Sequence, residues 1–142
     1  MDKKYPQPVV GAFIVNNKNQ ILLVKSFKWA NGKLWSVPGG RVEMGELISH
    51  AVEREAIEEV GLKVKFVKTF AVFDAVNPKN FYKNHHFIFL ECLCRSKDSN
   101  FKLDKREIQE ARWFDFKELE NIKLETFTKK AIDVLKSENK LI

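Results

Sequence analysis

The chain has 142 residues and a mass of 16.6 kDa, a length that predicts a single domain over 1–142. Hydrophobic residues make up 44% and aromatics 12%. That excludes a disordered chain, which cannot bury enough apolar surface to offset its conformational entropy. Lys and Arg number 25 against 19 Asp and Glu, a net +6 with a pI near 9.3. This balance favours an anionic partner such as a nucleotide.

Taken in chain order, a polar, Pro-broken start precedes the apolar run Val9–Val15. The run is too short to span a bilayer and carries no cleavage-like tail. The expectation is a soluble protein kept in the cytoplasm. A second apolar, β-branched run, Ile21–Lys25, follows Asn16-Asn17-Lys18-Asn19, which is a hairpin signal. The stretch 27–33 is a loop turning at Asn31-Gly32. Leu34–Val37 predicts a short strand stopped by Pro38-Gly39-Gly40, and Arg41-Val42-Glu43 a further extended piece. A helix is predicted from about Leu47 to Val60, ending at Gly61.

Val64–Asp74 reads as a strand, Val76–His85 as a polar loop, and His86–Cys94 as a second long strand. Cys92 and Cys94 fall on one face of that strand. Two thiols are too few for a disulfide framework or a structural zinc site, so they read as small hydrophobes in a reducing compartment. Ala111–Phe114 is the last predicted strand. Asp115 with Glu118 matches a capping box. Thr126 is the expected cap of a final helix with Phe127, Ala131, Val134 and Leu135 on one face. The order predicts an α/β fold, a mixed sheet covered by helices.

The chemistry concentrates between Gly40 and Leu62. On a helix at about 100° per residue, Glu55, Glu58 and Glu59 share one arc beside an apolar stripe of Ile48, Val52, Ala56 and Val60. Three crowded carboxylates repel each other and call for a cation or a raised pKa. Hard oxygen ligands suit Mg²⁺ or Mn²⁺. The competing reading is a solvated acidic face balanced by lysines. The preceding Pro38-Gly39-Gly40 favours the metal, because a backbone without side chains lets a phosphate or cation approach. Glu46 suits the positive end of the helix dipole. Arg54 either contacts phosphate, orients a glutamate, or pairs with Glu58 one turn on.

Gly40, Glu46, Arg54-Glu55, Glu58-Glu59 and Gly61, with the intervening spacing, resemble the Nudix box. Ala56 is smaller than the aliphatic residue common there. Trp35-Ser36-Val37-Pro38-Gly39-Gly40 is similar to the usual approach to that box, and Ala111-Arg112-Trp113-Phe114 to a late strand of the family. The resemblance implies a Nudix-type α/β/α sandwich around a mixed sheet. It also implies Mg²⁺-dependent hydrolysis of a nucleoside diphosphate linked to another moiety. Metal ligands by resemblance are Gly40 through its carbonyl, Glu55, Glu58 and Glu59. Mn²⁺ is an alternative ion. Catalytic candidates are Glu55, Glu58 and Arg54, with Glu107 and Glu110 as further general-base candidates before the late strand.

Lys25 and Arg41 are candidate phosphate contacts, and Phe81 and Tyr82 candidate stacking surfaces for a base. Trp35 and Phe73 read as core. His85-His86 makes a poor metal pair, since neighbouring strand residues point to opposite faces. The segments Ala71–Asp74 and His85–Phe87 look like members acting on ADP-ribose, with a nucleotide-sugar or triphosphate substrate as the alternative. A non-catalytic Nudix-like binding module is the rival class, and intact Glu55, Glu58 and Glu59 argue against it. The basic residues are spread without a base-reading motif, which argues against a nucleic-acid partner. The resemblance leaves a homodimer open.

Overall fold

A computed structural model describes residues 4–138; the first three residues of the polar start lie outside them. The strands are β1 (Gln7–Val15), β2 (Gln20–Ser26), β3 (Trp35–Ser36), β4 (Gly39–Arg41), β5 (Lys65–Val76), β6 (His86–Arg95) and β7 (Ile108–Asp115). Two helices accompany them, α1 (Ile48–Val60) and α2 (Thr126–Ser137). The sheet runs β3-β2-β1-β6-β5, with β4 added to β1 and β7 to β2. It is mixed, because β1 and β6 run parallel over nine register pairs while the other pairs are antiparallel.

Alternation along β1 builds the two faces. Val10, Ala12 and Ile14 pack with Val52, Ala56 and Val60 of α1. Phe13 and Val15 pack with Ala131, Ile132 and Leu135 of α2. Helices therefore cover both sides of the sheet, the α/β/α sandwich expected. Cys92 and Cys94 do share a face, buried under α1. Burial pushes the Cys92 thiol up to about 11. Among the described residues no helix is long and apolar enough to cross a membrane.

Several local expectations change. The turn after β1 closes through the Asn16 amide on Gln20 and a left-handed Asn19, yet β1 and β2 pair only at Val15 and Ile21. The strands then splay, because β1 takes β4 and β6 as partners and β2 takes β3 and β7. Gly39 and Gly40 do not stop a strand; they are the strand β4 itself, registered against Gly11 and Val10. In α1 the inner stripe includes Ala51, whereas Ile48 is exposed. Gly61 ends the helix in the left-handed region at φ 67°, where a side chain is strained. Helix α2 is capped by Glu125 rather than Thr126. Its carboxylate accepts from the Phe127 amide at 2.7 Å and the Thr128 amide and hydroxyl at 3.0 and 2.9 Å. The Asp115–Glu118 capping box forms as predicted.

Candidate active site

Helix α1 lies beside β4 and presents its acids unevenly. Glu59 sits near the middle of the buried arc and Glu55 within it; both are buried. Glu58 lies past the arc's edge and is exposed. The expectation that all three converge is met by two. Among the described residues no three His, Cys, Asp or Glu side chains form a ready metal cage. Gly40 faces Glu55 so closely that a Cβ there would collide with the carboxylate. The Gly39 amide donates to Glu59 Oε1 at 3.1 Å.

Burial first, and mutual repulsion with Glu58 or with each other, raise the pKa of Glu55 and Glu59, while Lys28 pulls both down. Lys28 Nζ lies 3.5 Å from Glu59 and 3.8 Å from Glu107, and donates to the Gly39 carbonyl at 3.3 Å. Burial opposes its charge, but Glu59 and Glu107 outweigh that and raise its pKa. Lys28 was not among the residues singled out from the sequence. It sits in an irregular loop, where no periodicity reports direction.

Arg54 is the hub of the helix entry. Nε and one terminal nitrogen clamp Glu46 at 2.7 and 3.0 Å. The other terminal nitrogen donates to Glu55 at 2.8 Å and Glu58 at 3.1 Å, and the first also to the Arg41 carbonyl at 3.0 Å. All five guanidinium donors are thereby engaged. The hydrogen bond from Arg54 draws Glu46 down to about 2. Arg54 thus orients glutamates and pairs with Glu58, and it has no donor left for a phosphate.

A cavity of about 740 Å³ opens beside these acids. Glu55, Glu58, Glu59, Glu107, Gly40, Arg41, Phe81 and Tyr82 all line it. Trp29, Phe87, Phe89 and Phe127 line it too. Trp29 and Phe81 meet at 4.4 Å between ring centroids, and Phe89 and Phe127 at 5.1 Å. Three predicted residues, Arg54, Lys25 and Glu110, are not among those lining it. Lys25 pairs with Glu110 across β2 and β7 at 3.8 Å. Its neighbour Ser26 lines the cavity, so Lys25 points to the opposite face. Glu110 also accepts from Arg112 at 3.0 Å. His85 and His86 bind the Tyr5 carbonyl and Asp74 separately, at 3.1 and 3.2 Å.

Comparison with known proteins decides the family. The model for the NUDIX domain matches residues 5–135. The chain belongs to the Nudix family. Among curated relatives, Nudix hydrolase 6 of Arabidopsis thaliana is 33% identical over 79% of this chain and 40% of its own length. The NAD-capped RNA hydrolase NUDT12 of Homo sapiens is 32% identical over 78% of this chain and 23% of its own length. The chain therefore spans less than half of these relatives. The MutT protein of Methanosarcina mazei Go1 superposes with a TM-score of 0.76 at 22% identity, covering 98% of this chain and 99% of that one. It shares the fold.

Proposed function

We propose that this Nudix chain is a divalent-metal-dependent pyrophosphohydrolase. Its proposed substrate is a nucleoside diphosphate linked to another moiety, ADP-ribose or a close derivative. One observation carries this reading: Glu55 and Glu59 are buried from bulk water yet line a cavity that aromatic rings also line. A cluster of acids serves a cation, and a wall of rings serves a base. The name of one relative, the NAD-capped RNA hydrolase NUDT12, supports it, since a NAD cap joins two nucleosides through a pyrophosphate.

The donor set suits Mg²⁺ or Mn²⁺. Glu55 and Glu59 offer hard oxygens, and the missing side chain at Gly40 leaves room for its carbonyl beside them. Gly40, Glu55, Glu59 and, after release from Arg54, Glu58 would hold the ion. When bound, the ion neutralises phosphoryl oxygens and acidifies a water. The chain's own groups do the rest. Arg54 fixes Glu55, so that the acid meets its ligand without reorganisation. Lys28 and Arg41 stand on the cavity wall for phosphate charge. Glu107, also on the wall, takes the proton from the attacking water, with Glu55 as the alternative base. Phe81 and Tyr82 supply ring faces.

The test is a product analysis with ADP-ribose, nucleotide sugars, dinucleoside polyphosphates and triphosphates, each with Mg²⁺ or EDTA. The expected result is AMP and ribose 5-phosphate from ADP-ribose, abolished by EDTA and reduced about a thousandfold in Glu55→Gln. A non-catalytic binder is favoured by Lys28 standing on Glu59. That rival wins if nucleotides bind equally with EDTA and no member of the panel is ever cleaved.

A further inference from the structure

Strand β6 carries Phe87, Phe89, Glu91 and Leu93 at every second position, hence on one face about 7 Å apart. Three of them are apolar core. Glu91 interrupts the row with a carboxyl that is 5% exposed. A buried carboxyl without partners is costly, and among the described residues no hydrogen bond or ion pair holds this one. It lines the cavity instead, next in the row after the rings of Phe87 and Phe89. The opposite strand makes room for it, because a Cβ at Gly11 would strike Glu91 Oε1.

A second unpartnered group is among the residues lining the cavity. The Ser36 hydroxyl is the buried side-chain oxygen or nitrogen without a hydrogen-bond partner among the described residues. Glu125 and Thr128 complete this part of the wall, but their polar atoms are already committed to capping α2. A carboxyl that lines a cavity with no protein partner among the described residues marks a place where a ligand supplies the partner.

We propose that Glu91 is the nucleobase-reading residue of this cavity, determining specificity for an amidine edge such as that of adenine. The proposal rests on the hydrolase reading for its substrate class. A neutral carboxyl offers one O–H donor beside one carbonyl acceptor. Adenine presents the complement, a ring-nitrogen acceptor beside an exocyclic amino donor, and cytosine does the same. A ring nitrogen is a stronger base than a lactam oxygen, so the acid's O–H binds it better than it binds uracil or the guanine O6. The carboxyl is neutral at pH 7. Burial first and the charge of Glu125 second raise it to about 8. On the neighbouring strand it faces Gly11, which carries no charge, and Glu125 before α2 is the charged group that acts on it. Lys28, Arg41, Glu55, Glu59 and Glu107 stand elsewhere on the cavity wall.

Calorimetric titration with AMP, CMP, GMP, UMP and ribose 5-phosphate in EDTA tests this without turnover. The wild type should bind AMP and CMP more tightly than GMP, UMP or ribose 5-phosphate. Glu91→Gln mimics the neutral acid and should hold AMP within about threefold, whereas Glu91→Leu should lose about tenfold or more, one to two buried hydrogen bonds. Wild-type AMP affinity should fall above pH 8 while that of Glu91→Gln stays level. Equal AMP affinity in Glu91→Leu and the wild type, or AMP binding no better than ribose 5-phosphate, overturns the subsite. Failure of the hydrolase reading shows separately, as base-selective binding that follows Glu91 with no metal-dependent cleavage.

Discussion

Replacing Glu91 by Gln should change how the stability of the protein depends on pH, by an amount the structure sets. The acid titrates near 8 in the folded chain against an ordinary value of 4.5. A carboxyl raised on folding binds its proton more tightly in the native state. Its contribution is fully present below pH 4.5 and is lost as pH climbs through 8. At 1.36 kcal/mol per pH unit, the loss reaches about 3 kcal/mol at pH 7 and levels off near 5 kcal/mol above pH 9. Glutamine does not titrate, so Glu91→Gln escapes the loss. Its free energy of unfolding should therefore separate from that of the wild type as pH rises, by about 4 kcal/mol between pH 5 and pH 9.

Guanidinium unfolding curves of both proteins in EDTA, taken at one-unit steps, measure this gap. Glu55 and Glu59 are raised in both proteins and cancel in the difference, which leaves Glu91 and its coupling to Glu125. Parallel curves would refute the reasoning, because they would mean that Glu91 titrates alike in the folded and unfolded chain. A side-chain carbon NMR titration then locates the midpoint directly. Glu125→Gln keeps an acceptor for the helix cap and should move that midpoint down, as Glu125 is the second cause of the shift.

Arg54→Lys should leave the fold intact by circular dichroism and cut turnover of the cleaved substrate roughly a hundredfold, since one ammonium cannot hold Glu46, Glu55 and Glu58 in the fork geometry. A variant with wild-type kcat would show that Glu55 needs no positioning. Lys28→Met removes the ammonium 3.5 Å from Glu59 and leaves a buried acid uncompensated, at a stability loss of about 3 kcal/mol in EDTA. Added Mg²⁺ should raise the melting temperature more in this variant than in the wild type. An equal rise in both would separate Lys28 from the metal site.

Much of this was legible from residue order, and the exceptions share a cause. The α1 boundaries, its stop at Gly61, the capping box at Asp115 and the shared face of the two cysteines depend on short-range spacing, which a sequence displays. Lys25 and Ser26 show the opposite case. Lys25 is the phosphate candidate in chain order, but one step of strand phase sends Ser26 to the cavity and Lys25 to Glu110. Glu55, Glu58 and Glu59 share a helical arc, yet only the partner surfaces decide that Glu58 lies at its wet edge. Lys28 lies in a loop with no period at all. Glu91 differs from these. The run Phe87, Phe89, Glu91, Leu93 announces an acid where the pattern wants a hydrophobe, and a local rule broken inside a core strand marks function more often than accident.

Both halves of the cavity use the same device, and that makes them separable. Glu55 lies over Gly40 and Glu91 over Gly11, each carboxyl occupying space that a Cβ would fill. The two glycines are close, for Gly11 pairs with Gly39 in the β1–β4 register. A methyl at Gly40 displaces Glu55 from the metal side, where the reacting bond lies. A methyl at Gly11 displaces Glu91, and it also meets Val37 Cγ2 at 3.2 Å, on the base side. Gly40→Ala should therefore lower kcat by roughly a hundredfold with AMP affinity held within a few fold, as a misplaced ligand disturbs chemistry more than binding. Gly11→Ala should weaken AMP by about tenfold and spare the cleavage rate at saturation. Parallel losses in both variants would mean that the sheet edge moves as one body, and the division of the cavity into a metal half and a base half would not stand.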